Sequence, residues 1–505
     1  MNAWARRGLL FVMAAWPAWI VSCPPLQDLP NHLATAHVQL GLERYPELVS
    51  NGFFKTNSTL FAFLHVAGAF MSLRMAAKLF VTLGALVSAV AYPATARALG
   101  GNEESASLVL LPMIHSWFVA MGMLDYALAV PPVLLTLGAL AAHRRAPSLL
   151  RGASVCVLAL AVWYTHAFAV GMLALLAAIE IVATKRWRDV STFALPLAPA
   201  IALTAWSSML QLGSETTFGE ATVYQGAGAL LYGAFAEWMW SLTKWTLASV
   251  VSAGVIAFYG LRRMRERPPF FSPIAMAVLV ILYATLPYHA HRWFYVSSRV
   301  VPFLWVGLLL RVPSELPPWL RNALVASTLA FSVGLGIEYV IVAKQWEDFT
   351  RAEDAVPTRA RLLPLVFDRK GPHGDNTWPM LHVWGLYVVD RDTTAPLLFA
   401  HSRSFPVSYA QQPPPRFHGL LLEQFPQTMR TPETFCKKLE DAGIARGDCA
   451  ASYARAWDEF WTDARPRFDR VIMYGPSAET RAAIPSSFRV VYDRDETLVL
   501  ATSPE

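Results

Sequence analysis

Charged residues are scarce in this sequence. Asp, Glu, Lys and Arg make up 15% of its 505 residues, against 55% hydrophobic, where soluble domains carry roughly 25% charged residues. That deficit excludes a wholly soluble protein. The chain also lacks a nucleotide-binding glycine fingerprint, a zinc-ligand spacing and a nucleophile elbow, so no motif points to nucleotide, structural-zinc or serine-hydrolase chemistry. A net charge of +6 does not call for a nucleic-acid partner. The Arg and Lys residues fall in short loops between apolar runs, and no basic patch interleaved with aromatics stands on a soluble stretch. There are only four cysteines. Cys156 lies inside an apolar run and reads as a small core residue. Cys436 and Cys449 lie close together and pair as a disulfide if their region is extracytoplasmic; spacing alone does not fix the geometry, so two free thiols is the other reading. Cys23 ends the stretch Ile20-Val21-Ser22-Cys23, which fits a lipobox or a helix end before Pro24-Pro25.

What the chain has in abundance is apolar runs. They fill residues 8 to 343, whereas 344–505 is rich in Asp, Arg and Pro and reads as a soluble domain. The expected organisation is a membrane domain over 1–343 and a C-terminal α/β domain over 344–505. Arg6-Arg7 before the first run, Gly8 to Ser22, holds the N-terminus on the cytoplasmic side. Residues 23–57 are then a polar external loop, and Pro30 to Leu48 has the apolar spacing of an amphipathic helix on the outer leaflet. Thr59 to Leu73 is short for a span. Further runs cover 75–97, 106–122, 126–142, 150–165, 167–184, 191–210, 241–261, 271–288, 298–312 and 322–343. The basic loops around His143-Arg144-Arg145, Lys185 to Arg188 and Arg262 to Arg267 all fall inside only if 59–73 does not cross. Loop charge therefore predicts about eleven spans, N-terminus in and C-terminal domain out.

This topology gathers the polar residues at one face. Asp28, His32, Lys55, Asp125, His166, the loop acids Glu215, Glu220 and Glu237, and the segment His289 to Arg292 with Arg299 beyond it all lie near the outer surface. Asp28, in PPLQDLPNHLA, is either a helix cap or a working carboxylate. Asp125, in MGMLDYALAVPP, is either a turn residue or a costly acid kept at depth for function. Together the two acids support general-base work or hold a divalent cation such as Mg or Mn. Arg292 and Arg299, with His289 or His291, suit a phosphate; the plainer reading of this segment is an aromatic belt at the lipid headgroups. His166 reads more simply as a core histidine, and His382 in PMLHVWGLYVVDRD as a packing residue. In the soluble region, strands are expected at 395–400, 471–474, 488–492 and 497–501 and helices at 431–442 and 450–462.

The stretches PPLQDLPNHLA, RMAAKLFVTLGALVSAVAYPATARALGG and GMLDYALAVPP, within this architecture, resemble the GT-C membrane glycosyltransferases. The superfamily includes protein mannosyltransferases, oligosaccharyltransferases and bacterial aminoarabinose transferases, and a D-x-P-x-H opening is shared with uncharacterised bacterial membrane proteins. The resemblance implies a multi-pass bacterial inner-membrane enzyme with a periplasmic C-terminal domain. It implies a polyprenyl-phosphate sugar donor, an inverting transfer to a lipid, glycan or protein, and membrane lipids as further partners. Asp28 would be the base, Asp125 the second acidic site, and Arg292 and Arg299 the neutralisers of the departing phosphate, with His32, Lys55 and His166 in support. A lone Asp125 stands where metal-dependent members carry an acidic pair. The competing classes are a flippase of lipid-linked sugars, which predicts internal repeats, and a catalytically silent cell-envelope scaffold.

Overall fold

The computed structural model describes residues 3–212, 222–242, 244–290, 293–370, 376–441 and 448–502. Among the described residues, six helices are long and apolar enough to cross a membrane: Leu73–Ala98, Leu124–Arg145, Ala167–Thr184, Asp189–Met209, Trp245–Arg262 and Pro318–Ala355. Five shorter apolar helices accompany them, Thr59–Gly68, Leu149–Thr165, Ala227–Ala236, Pro273–Thr285 and Ser297–Leu309. Thr59–Gly68 is short, as its sequence suggests: its 10 residues rise only about 15 Å.

The run 106–122 is not one span. It breaks into Glu103–Val109, Leu111–Ile114 and Trp117–Ala120. Pro112 has no N–H to continue the ladder, and His115 turns its Nε2 away to Ala14 O at 2.6 Å. The pieces are mostly buried, and irregular backbone at membrane depth is tolerated where protein covers it. One buried pair of opposite charges lies inside the bundle. Arg144 Nη1 lies 2.6 Å from Glu180 Oε1, and the other Glu180 oxygen accepts the Phe270 N–H at 2.8 Å.

The last long helix, Pro318–Thr350, has 33 residues, about 50 Å, well beyond the ~30 Å of a bilayer core. It runs through position 343 into the C-terminal part. There Trp346 Nε1 donates to Pro379 O, and Phe349 O accepts from the Tyr387 hydroxyl. The C-terminal part is built on a four-stranded sheet in the order Leu362–Val366, Arg470–Tyr474, Thr497–Thr502, Phe488–Arg494, the first pair parallel and the others antiparallel. Leu362–Val366 was not among the expected strands, although all five of its residues are buried. Residues 395–400 form no strand. The helices Pro432–Asp441 and Cys449–Ala464 are joined by a Cys436–Cys449 disulfide.

The segment 23–57 is fused to this C-terminal part. Its helix is Leu29–Leu40, shorter than the 30–48 stretch, and it is buried on most sides rather than laid on a leaflet. The C-terminal helix Gly385–Arg391 packs against it so closely that a Cβ on Gly385 would come 2.4 Å from Pro30 O. Leu48–Ser50 pairs antiparallel with Val407–Tyr409.

Candidate active site

The Asp28 loop is stitched to two others before its side chain does anything. Gln27 N and Asp28 N donate to Ala120 O and Met121 O at 3.0 and 3.1 Å. Gln27 Oε1 accepts the Trp378 N–H at 2.8 Å, and Gln27 Nε2 donates to Asp28 Oδ1 at 3.1 Å. Gly122 makes the approach possible. Its φ is +80°, and a Cβ there would meet Asp28 N at 2.7 Å. The G-M-L-D turn thus lies directly against the first-loop acid, a proximity between residues far apart in sequence.

Asp28 occupies the N-cap position of helix Leu29–Leu40, yet its side chain accepts no hydrogen bond from that helix. The capping role is therefore not what the carboxylate does. Burial pushes it up to about 7, against the opposing hydrogen bond from Gln27. Asp125 behaves differently. Its Oδ1 accepts the Leu60 N–H at 2.8 Å, at the start of helix Thr59–Gly68, so this acid does hold a helix end.

Both acids line one cavity of about 770 Å³, together with His32, His166, His289 and Arg299. That volume falls in the range of small-molecule sites. His32 Nε2–H donates to Gly122 O at 3.2 Å, and burial pulls this imidazole down to about 4, so it is neutral. His166 Nδ1 accepts from Phe168 N at 3.2 Å, and its ring meets Tyr126 edge-on. Burial also lowers the proton affinity of His289. Arg299 stacks its guanidinium over Tyr126 and Trp293 at 5.7 and 5.9 Å.

Lys55 is elsewhere. Its ammonium donates to Arg403 O and Phe405 O at 2.7 and 2.6 Å, tying segment 23–57 to the C-terminal part, and it does not line the cavity. His291 and Arg292, like Glu215 and Glu220, lie outside the described residues.

The C-terminal part supplies what the membrane loops do not. His382, Glu423, Arg369 and His401 line the same cavity. His382 Nε2 is 3.4 Å from Asp28 Oδ1 and 3.8 Å from Glu423 Oε1. Arg369 lies 5.5 Å over the Trp378 ring and contacts Glu423 O through Nη2. Among the described residues, the Nε atoms of Arg299 and Arg369 are buried without a hydrogen-bond partner. Tyr295, with a φ of 59°, stands where Asp28, Glu237 and Glu423 all act on its phenol, which burial raises far above its usual value. Such backbone strain concentrates at functional sites. His382 thus lines the candidate cavity beside Asp28 as well as packing on Trp384 and Phe399. Its only sequence signal was a lone histidine in an apolar run.

Among the described residues no three His, Cys, Asp or Glu side chains converge on one point as metal ligands. Asp28 Oδ1 and Asp125 Oδ1 are each engaged by a hydrogen-bond donor.

A helical membrane bundle with segment 23–57 covered by a C-terminal α/β part, and an acid-lined cavity between them, is a fold that this chain shares with a solved structure. Over 100% of both chains, the protein is similar to the crystal structure of ArnT from Cupriavidus metallidurans in the apo state, at a TM-score of 0.53 and 12% identity. It also has a TM-score of 0.48 and 13% identity with the mycobacterial arabinofuranosyltransferase AftD, covering 99% of this chain and 42% of that one. No family model matches the chain, and no curated protein does.

Proposed function

We propose that this chain is a GT-C-type glycosyltransferase that moves a sugar from a polyprenyl-phosphate donor to a hydroxyl-bearing lipid, glycan or protein. It works at the outer face of a bacterial inner membrane, with the N-terminus cytoplasmic and the C-terminal part periplasmic. The observation that carries this reading is a buried first-loop carboxylate, raised to about 7, in one cavity with the two guanidinium groups of Arg299 and Arg369. A base poised near neutral pH and cations for a departing phosphate are what a single displacement requires.

In that displacement Asp28 takes the proton of the acceptor hydroxyl as the new bond from oxygen to the anomeric carbon forms. The bond from that carbon to the phosphate oxygen breaks on the opposite side, which inverts the configuration. The electron pair leaves with the lipid phosphate, and Arg299 and Arg369 neutralise it. The shared GT-C fold supports this assignment.

The test uses the full-length chain in nanodiscs, with a polyprenyl-phosphate-sugar extract as donor. Asp28→Asn keeps the shape and removes the base, so transfer should fall about 10²- to 10⁴-fold while the protein still folds. Wild-type transfer by this variant would overturn the reading. Translocation of the labelled lipid across the bilayer without transfer would favour a flippase.

A further inference from the structure

The transfer step leaves His382 without a task, although this imidazole is almost fully buried and points at the base. Its other nitrogen faces Asn31, a side chain with no exposure at all. The Asn31 amide is oriented by two backbone groups. Its Oδ1 accepts the Phe399 N–H at 3.1 Å, and its Nδ2 donates to Leu397 O at 2.9 Å. The second hydrogen on Nδ2 faces His382 Nδ1 at 3.4 Å. An amide nitrogen only donates, so Nδ1 is the acceptor and the ring proton resides on Nε2. Edge contacts with Phe399 and Trp384, at 5.2 and 6.3 Å between centroids, hold the ring plane.

We propose that Asn31 and His382 form a positioning pair for Asp28: Asn31 fixes the imidazole as its Nε2–H tautomer, and that N–H orients the carboxylate that takes the acceptor's proton. The proposal rests on the transferase reading of Asp28. A separation of 3.4 Å is long for a hydrogen bond, as in sites that tighten around substrate. Burial first, then His32 and Arg369, pull His382 down to about 3, so the ring orients Asp28 without neutralising it. The groups facing this ring are Asp28, Glu423, His32 and Arg369. The arrangement parallels the buried partner that sets the tautomer of a working histidine elsewhere, here with the histidine as the intermediary.

The decisive measurement is NMR of the ring nitrogens in full-length protein labelled with ¹⁵N-histidine, in nanodiscs, the His382 signals being assigned by their loss in His382→Gln. A neutral ring protonated at Nε2 from about pH 8 to about pH 5 is expected, and Asn31→Ala should mix the two tautomers. An Nδ1–H ring, a tautomer mixture in the wild type, or an imidazolium at about pH 6 would overturn the proposal, whether or not Asn31→Ala folds. In the transfer assay His382→Leu should lower kcat about 10- to 100-fold with little change in KM, and His382→Gln, whose amide can donate to Asp28, should recover most of it. Equal kcat in the leucine variant and the wild type would also overturn it. If Asp28→Asn retains full transfer, the reading of the base fails, and the NMR result still stands on its own.

Discussion

Gly122→Ala adds one methyl group to the chain and removes no functional group, so it asks whether the placement of Asp28 matters. The new Cβ would lie 2.7 Å from Asp28 N and 2.9 Å from Asp28 Cβ. Non-bonded contacts settle near 3.5 Å or more, so the Asp28 backbone has to retreat by about 0.8 Å. That stretches the Asp28 N–H bond to Met121 O, now 3.1 Å, beyond useful length. The stability loss has two parts: about 1–2 kcal/mol for an alanine held at positive φ, and about 1–3 kcal/mol for the overpacked contact. Gly100→Ala separates them. Gly100 has a φ of +85° with nothing within 4 Å of its added Cβ, so it carries the strain and not the clash. Thermal melting of both variants in nanodiscs should show Gly122→Ala the less stable. Transfer by Gly122→Ala should fall about 10²-fold, the expected effect of a misplacement near 1 Å, while Gly100→Ala transfers normally. Wild-type transfer by folded Gly122→Ala would refute the claim that the turn sets the position of the base.

Other consequences are quicker to state. Because burial raises Asp28 to about 7 and only its carboxylate form accepts a proton, kcat/KM should climb as pH rises through about 7 and level above it; a flat profile between about pH 5 and 8 would contradict this. Arg144→Leu strands Glu180, whose side chain is 4% exposed, and should cost about 3–5 kcal/mol by thermal or denaturant unfolding. Adding Glu180→Leu should recover part of the loss, and no recovery would argue against the pair. Cys436→Ser should destabilise the helix pair by about 3 kcal/mol, the loop-closure effect for the 13-residue separation, read as faster proteolysis of the C-terminal part without a change in transfer chemistry.

Much of the membrane part was legible because its signals are local. Apolar length and loop charge placed Leu73–Ala98, Leu124–Arg145, Leu149–Thr165 and Ala167–Thr184 within three residues of their observed bounds. The failures have a common cause in tertiary contact. Residues 106–122 are apolar enough for a span but break because protein covers their backbone and His115 finds Ala14 O. Residues 30–48 show an amphipathic period, but Gly385–Arg391 and Val407–Tyr409 occupy the surroundings a leaflet was expected to fill. The candidate site divides in the same way. Asp28, Asp125, His289 and Arg299 could be sorted to one face by topology. Arg369, His382 and Glu423 come from a segment more than three hundred residues downstream of Asp28, and no periodicity reports which loop of a soluble domain descends onto a membrane cavity. Lys55 looked like a member of the site and instead ties two backbone carbonyls.

Two acids that looked equivalent in the sequence are given different work by what surrounds them. Asp125 accepts a backbone N–H at a helix start, which ties the side chain in place. Asp28 sits at a helix start and declines the same bond; among the described residues it accepts the Gln27 amide and faces the buried His382 ring. A carboxylate held by weak donors in a dry cavity keeps its affinity for protons, and that is what a base acting near neutral pH needs. The long 3.4 Å approach of His382 is consistent with this balance: it orients the acid while leaving the proton affinity largely to burial.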